Sequence, residues 1–406
     1  MTLAEAAARL AGHLARQEFV EVYAHHDADG IAAGAIVCTA LYRRGIRFRL
    51  RAVSHVSPAA LPQETPTLLC DLGSGMADLP EDVMVVDHHI PRFRGDLHVN
   101  PRLHGIDGER ELSSAGTAFL VAQSLGKNRD LSGLVMLGII GDRQELSGQN
   151  LAIFNDAVAL GLVSPGKGLL LPGRDDHERL YAALNPYLHE VSGNEEAVSD
   201  ILEKAAGDGE VSLARLLSLL VIRVAPYAPA ETLESVYGDC YSLEREVIPD
   251  AHTLTAVVDA CGKSGRGGLA ASLCLRSAAC LDEAFGCAVE HRLRVIGALA
   301  AALRGGDRGG LVEVDDPSLA SDVADALARD VECRDPVVAV ASRVDELAFV
   351  SVRAARGRDV ELGEHVHSAA VQVGGFGGGH ARRAGATVPA ARLPQFVDAL
   401  RRAVAA

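Results

Sequence analysis

Met84-Val85-Val86-Asp87-His88-His89 is the stretch from which the fold of this chain is read. A short apolar run, Val83 to Val86, stops abruptly at one carboxylate and two imidazoles. A buried parallel strand delivers polar groups in this way at its carboxyl end, where open α/β sheets place their ligand sites. Two further runs repeat the pattern. Phe19-Val-Glu-Val-Tyr-Ala24 leads into His25-His26-Asp27-Ala28-Asp29-Gly30, and Thr67-Leu-Leu-Cys70 leads into Asp71-Leu-Gly-Ser-Gly75. Three strands that empty carboxylates and imidazoles onto one sheet edge predict a metal site. A site for two ions is the sharper form of that expectation.

Outward from this stretch, residues 19 to about 160 alternate β-type runs with helical patterns, which implies βαβ units and a parallel sheet. Ile31 to Leu41 reads as the helix leaving the first loop. Ser113-Ser114-Ala-Gly-Thr-Ala begins another, with either serine as N-cap. Leu131 to Ile140 is a third helix, ending in Gly141-Asp142. From about 165 the pattern weakens: Pro165-Gly-Lys-Gly and Pro172-Gly-Arg-Asp-Asp predict a turn-rich connection. Helices are expected near 178–188, 195–223 and 229–246, followed by an Ala-, Cys- and Leu-rich part over 252–304. Arg304-Gly-Gly-Asp-Arg-Gly-Gly310 reads as a hinge or tight turn. Strand-like Gly310–Val314, Val337–Ser342 and Leu347–Val352 then interleave with helical 317–331 and 391–404. The fold class is therefore α/β: an N-terminal parallel-sheet domain over 1–175, a helical or mixed middle over 176–305, and a smaller C-terminal α/β domain over 306–406.

Composition bounds the function. A chain of 406 residues with 48% hydrophobic and 23% charged residues is ordinary for a globular protein. Residues 1–18 read as an amphipathic helix rather than a signal peptide. No apolar run approaches the ~20 residues of a transmembrane helix, so a cytoplasmic, membrane-free protein is expected. The eight cysteines form no Cys-x-x-Cys pair and read as small core residues. A net charge of −15 argues against a generic nucleic-acid surface. It leaves room for a local basic channel, with Arg43, Arg44, Arg47, Arg49 and Arg51 as one cluster.

Asp27 and Asp29 lie two apart in a loop before Gly30, so a turn decides whether both face one point. Hard divalent ions prefer carboxylate oxygen, and an imidazole or two shifts preference toward manganese. Any one of these aspartates alone is a common helix cap or turn former. Asp27, Asp29, Asp71, Asp87 and Asp142 at successive strand and helix ends strain that reading. Asp87 beside His88 and His89 admits a carboxylate holding a metal-bound imidazole. In the C-terminal part, Gly374 to Gly379 would let backbone N–H groups approach an anion, with His380 next to them. The bland alternative there is a linker. Arg353, near the end of Val350-Ser-Val-Arg353, is either a phosphate-gripping guanidinium or a plain surface arginine. Cys261-Gly-Lys-Ser-Gly-Arg-Gly-Gly268 lacks the full spacing of a nucleotide-binding phosphate loop.

Asp87-His88-His89, preceded by His26-Asp27-Ala-Asp29-Gly30 and Asp71 and followed by Asp142, resembles the DHH phosphoesterase superfamily. Gly377-Gly378-Gly379-His380-Ala-Arg-Arg-Ala-Gly385 resembles the Gly-Gly-Gly-His signature of its DHHA1 substrate domain. The Cys261 segment and the His-His-Asp-Ala-Asp-Gly form of the first motif are similar to archaeal RecJ-like proteins. The resemblance implies two manganese ions, with magnesium as the substitute. Asp27 and Asp71 would hold one; Asp29, Asp71, His88 and Asp142 the other, with Asp71 bridging. Asp87 would orient an imidazole and His89 would face the phosphate. Many relatives carry a histidine four residues before the first aspartate. Here that position is Tyr23, and His25 is the nearest imidazole. Arg353, Gly378, Gly379 and His380 would bind substrate.

The expected function is hydrolysis of nucleic-acid phosphodiester bonds, as in a RecJ-like single-strand exonuclease. The alternative is a phosphodiesterase for short oligonucleotides or cyclic dinucleotides, favoured by the acidic charge and by aromatics at only 4%. A third class, a non-catalytic assembly protein with replication-protein partners, is implied by inactive relatives of the family.

Overall fold

Phe19–His25 (β1) lies at the switch point of a parallel sheet, pairing with Arg47–Val53 on one side and Thr67–Cys70 on the other. The computed structural model describes residues 1–207, 209–304, 310–330, 335–358 and 360–405. In chain order the first elements are α1 (Leu3–Leu14), β1, α2 (Ala28–Arg43), β2 (Arg47–Val53), β3 (Thr67–Cys70), β4 (Met84–Val86) and β5 (His98–Val99). Then come α3 (Ser114–Leu125), α4 (Ser132–Gly141), α5 (Gly148–Ala159) and β6 (Val163–Leu169). The middle contains α6 (Asp176–Tyr181), α7 (Glu195–Ala206), α8 (Leu213–Val224), α9 (Ala230–Glu234) and β7 (Tyr237–Leu243). It continues through α10 (Ala251–Lys263), α11 (Gly267–Cys274) and α12 (Leu281–Arg304). The C-terminal elements are β8 (Gly310–Glu313), α13 (Pro317–Asp330), β9 (Val337–Val344) and β10 (Leu347–Ala354), then α14 (Leu362–Gln372), β11 (Phe376–Gly379), β12 (Arg383–Pro389) and α15 (Leu393–Ala405).

Two compact units result, one of residues 1–167 and 239–288, the other of 168–238 and 289–406. The middle of the chain is thus shared between them.

In the first unit the sheet order is β2-β1-β3-β4-β5. This order reverses direction between β1 and β3, where doubly wound sheets open a crevice at the carboxyl ends. The strands β3 and β4 are buried along their whole length, as expected for a sheet covered on both faces. Helix α2 is buried on nearly every side, and its small residues permit this: a Cβ at Gly34 would lie 2.9 Å from the Cβ of Ala24. Ile31, Ile36 and Leu41 of α2 join Leu10 and Leu14 of α1 in the core.

In the second unit the sheet β11-β12-β10-β9-β8 is mixed, with only β8 and β9 parallel. Phe396 of α15 is fully buried in the cluster that also holds Val350, Val352 and Leu362. A smaller cluster forms where Val198 and Ile201 of α7 meet Leu216, Leu220 and Val224 of α8.

Several expectations are corrected. Asp29 is not in a loop: α2 begins at Ala28 because Asp27 caps it, accepting from the Gly30 N–H at 2.9 Å. The helix expected over 229–246 is a short helix followed by strand β7, and the turn-rich stretch at 165 contains β6. Alternating polar residues in both hid a two-stranded sheet. The helix expected over 195–223 is broken after Ala206, where Gly207 adopts a positive φ. Gly374 to His380 is not a linker, because Phe376–Gly379 pairs with β12. The glycine-rich turn over 304–310 falls, from 305 to 309, outside the described residues, as do Val331 and Cys333. The arginine cluster proves to be partly the edge strand β2. Arg49 and Arg51 face Glu21 of β1, and Arg43 is bidentate to Asp130, which neutralises much of the expected basic channel.

Asp130 ties three elements together. It accepts from Arg43 at 2.7 Å and from Arg276, beyond α11, at 2.8 Å, just before α4 begins. Hydrogen bonding from Arg43 leads the causes that hold its carboxyl well below the usual range. A depressed carboxylate pKa contributes stability at neutral pH that is lost as pH falls below about 4. Asp130→Asn is expected to cost about 1–2 kcal/mol at pH 7, discounted for partial exposure. The difference in thermal midpoint from the parent should shrink between neutral pH and pH 3, as followed by circular dichroism. An unchanged difference across that range would refute the assignment.

Candidate metal centre

The carboxyl ends of β1, β3 and β4 bring their polar residues together as the sequence pattern requires. His25 ends β1, Asp27 caps α2, and Asp71 follows β3. His25 Nδ1 lies 2.8 Å from Asp27 Oδ2 and 3.3 Å from Asp71 Oδ2. His88, beyond β4, places Nε2 3.4 Å from Asp71 Oδ1, 3.2 Å from Asp142 Oδ2 and 3.8 Å from Asp29 Oδ2. Two of the groups whose donor atoms lie within 4.8 Å of one another are His25/Asp27/Asp71 and Asp29/His88/Asp142; another is Asp71/Asp87/His89. Asp71 approaches members of the first two.

Asp29 and Asp71 are held from behind. Both oxygens of Asp29 accept at 2.8 Å from the backbone N–H groups of Ser114 and Ala115, the first residues of α3. A helix N-terminus carries partial positive charge, which favours a carboxylate there. No room remains on the other side: a Cβ at Gly138 would collide with Asp29 Oδ1. Ser113 is the N-cap of α3, accepting from the Gly116 N–H, which leaves Ser114 Oγ to donate to Asp71 Oδ1 at 2.8 Å. Asp71 itself adopts φ +59°, a left-handed conformation that costs energy for a residue other than glycine and clusters at functional sites.

Asp87, which shares a group with Asp71 and His89, is also a hub. Its Oδ1 accepts from the His88 and His89 N–H groups and lies 2.8 Å from His89 Nδ1; its Oδ2 accepts from Ser74 N–H. His88 Nδ1 is 2.5 Å from the Gly108 carbonyl, which also accepts from Gln144 Nε2. Asn150 in turn donates to Gln144 Oε1. An imidazole whose Nδ1 bonds a carbonyl presents Nε2 to the carboxylates, the usual way a metal-binding histidine is oriented. Ser74, Ser114, Gln144 and Asn150 were not legible in the sequence, because partners far apart in the chain give them their roles.

The electrostatics report crowding. Burial raises the Asp29 carboxyl well above its ordinary pKa, and Asp71 and Asp142 add to this. Burial works to lower His25 and His88, yet the surrounding carboxylates outweigh it and raise both well above the usual histidine value. Burial likewise opposes ionisation of Asp87, but His89 outweighs it and lowers the carboxyl well below its usual range. So many carboxylates in one buried place call for compensating positive charge. Oxygen and imidazole donors without sulfur suit manganese or magnesium, so the residues present fit two such ions.

The remaining candidates lie in the second unit. Arg353 on β10 is 8% exposed: Nε bonds Asp325 Oδ1 at 2.6 Å and Nη2 bonds Ser321 Oγ at 2.7 Å. Gly378 and Gly379 lie in β11, and the His380 N–H donates to the Arg383 carbonyl. A Cβ at Gly379 would collide with that same carbonyl, so close strand pairing demands glycine there; at Gly378 it would meet open space. The Cys261–Gly268 stretch closes α10 and opens α11 in the first unit. It is a packing device: a Cβ at Gly262 would collide with the His26 carbonyl, and one at Gly267 with Ala52.

Residues 312–406 match the model of the DHHA1 domain. That stretch of the second unit is a DHHA1 domain. An uncharacterized protein of Methanocaldococcus jannaschii is 27% identical over 292 residues, a match spanning 65% of each chain. RecJ from Thermus thermophilus, solved with Mn2+, aligns at a TM-score of 0.59 and 20% identity, covering 99% of this chain and 54% of that one. CDC45 from Entamoeba histolytica aligns at 0.62 and 12% identity, covering 99% of both chains. The chain thus spans 65% of the curated relative and about half of the T. thermophilus RecJ chain. Among the described residues, no helix is long and apolar enough to cross a membrane.

Removing the Ser114 hydroxyl should loosen Asp71 while sparing the α3 amides. Ser114→Ala is expected to weaken Mn2+ binding by about 10–100-fold with an unchanged circular dichroism spectrum. Electron paramagnetic resonance titration of free Mn2+ reads this directly, and parent-like affinity would remove Ser114 from the site.

Proposed function

We propose that this chain is a divalent-metal-dependent phosphodiesterase acting on nucleic-acid phosphodiester bonds, in the manner of a RecJ-like single-strand exonuclease. The observation that carries this reading is the placement of Asp71 within 3.3 Å of His25 and 3.4 Å of His88, between the two ligand groups. A carboxylate so placed suits a shared ligand. His25, Asp27 and Asp71 would hold one ion, and Asp29, Asp71, His88 and Asp142 the other. Bound manganese would supply a water deprotonated near neutral pH and neutralise charge developing at phosphorus.

The chain's own groups do the positioning. Asp87 fixes the His89 ring, whose side chain is 35% exposed and whose pKa the Asp87 carboxylate raises against the effect of burial. A charged imidazole there would meet a phosphate oxygen. Gly378, Gly379 and His380 would contribute substrate contacts from the DHHA1 domain. Arg353 would join them only by exchanging Asp325 for phosphate, since Asp325 and Ser321 now engage its guanidinium.

A second reading, hydrolysis of short oligonucleotides or cyclic dinucleotides, is favoured by one observation. The pairing of Arg43, Arg49 and Arg51 with acidic partners leaves little of the basic track that a long strand needs. A replication-protein partner in addition to catalysis is compatible with either substrate.

Incubation with Mn2+ and a long single strand, a dinucleotide or a cyclic dinucleotide separates these readings. Processive loss of the long strand supports the first; cleavage of the small substrates alone supports the second. Absence of hydrolysis with metal bound would sink both. Asp71→Ala should lower the rate by more than the ~10–100-fold typical of losing an outer partner, because both ions would lose a ligand. Near-parent rates in that variant would overturn the metal assignment.

A further inference from the structure

We propose that Tyr187, His189, Glu190, Tyr227 and Arg304 line a mononucleotide-binding pocket in the second unit. They surround a cavity of about 540 Å3, within the ~300–1,000 Å3 range of small-molecule sites. All of its lining residues belong to that unit, so the pocket owes nothing to the Asp/His cluster.

The lining gathers aromatic rings. Two of the chain's seven Tyr meet a histidine here. The His189 and Tyr227 rings lie 26° from parallel with centroids 6.2 Å apart, and the Tyr187 ring meets His189 edge-on at 4.9 Å. Tyr227, on the turn after α8, lines the cavity and is 55% exposed. Tyr187 is buried, and its backbone N–H donates to the buried Asp330 at 3.0 Å, which fixes one wall. Burial raises the Tyr187 hydroxyl pKa; Glu190 raises it further and Arg304 opposes both, so a carboxylate and a guanidinium both act on that wall. Glu190 adopts φ +62°, a left-handed conformation of the kind that collects at ligand sites.

Flat rings, a guanidinium and a carboxylate around one cavity match the base face, the phosphate and the N–H-bearing base edge of a nucleotide. The base stacks on Tyr227, as bases do on aromatic platforms. Arg304 takes the phosphate. Glu190 accepts N–H groups from the base edge, an arrangement that guanine, with adjacent ring and amino donors, satisfies best. A free nucleotide and the end of a strand present the same chemistry.

Calorimetric titration in EDTA, on the full chain carrying Asp71→Ala, excludes the metal cluster and the proposed hydrolysis from the measurement. The probes are GMP, guanosine and a short guanine-ended strand. GMP is expected to bind with 1:1 stoichiometry; Tyr227→Ala should weaken it about tenfold or more, and Tyr227→Phe should not. Arg304→Gln should weaken GMP but leave guanosine unchanged. Binding of the strand alone, with the same Tyr227 dependence, would show that the pocket takes a strand end. No saturable binding of any probe, or equal affinity in Tyr227→Ala, would overturn the proposal.

Discussion

Asp71 is the constraint on which the rest depends. Its carboxylate lies within hydrogen-bonding or ion-pairing reach of His25, His88, His89 and Ser114, on a backbone twisted into the left-handed region. Such a residue persists only where its surroundings over-determine it. Here the Asp71 N–H donates to Val86 at 2.8 Å, locking β3 to β4 at the point where both strands release their polar ends. The strain and the crowding of like charge are tolerable together only in a site built to receive cations.

The helices supply what the strands cannot. The start of α3 donates two amides to Asp29, and the end of α4 delivers Asp142 beside His88. Helix α2 brings its first turn between them by packing small residues against β1. Glycine recurs wherever backbone must approach closely: Gly138 behind Asp29, Gly262 behind His26. The glycines of the DHHA1 domain follow the same rule. Gly375, Gly377 and Gly379 all press on β12, and a Cβ at Gly363 of α14 would lie 2.7 Å from the Gly379 carbonyl. Within the Gly377-Gly378-Gly379 run only Gly378 has open space, so it alone there is free of a packing requirement.

Much of this was legible before any coordinates. Hydrophobic runs that end in Asp or His mark strand ends without reference to partners; the structure places Asp27 near Asp71, and Asp142 beside His88. The misreadings have a common origin. Strands β6 and β7 are short, polar and partly exposed, so they carry neither an apolar run nor a clean alternation. The arginines of β2 looked like a binding track because Glu21, which answers two of them, lies on the neighbouring strand.

By itself, the sequence determined the α/β class, the order of the Asp- and His-bearing loops and the residue types of the candidate metal centre. These are properties of local pattern: strand ends, caps and the chemistry of carboxylate and imidazole. Only the tertiary structure decided that Asp71 stands between two groups, that Ser114 rather than Ser113 serves it, and that Gln144 and Gly108 orient His88. It alone assembled Tyr187, His189, Tyr227 and Arg304 around one cavity. These arrangements join residues tens to more than a hundred positions apart, and only packing of the helices and strands brings such residues within a few ångströms.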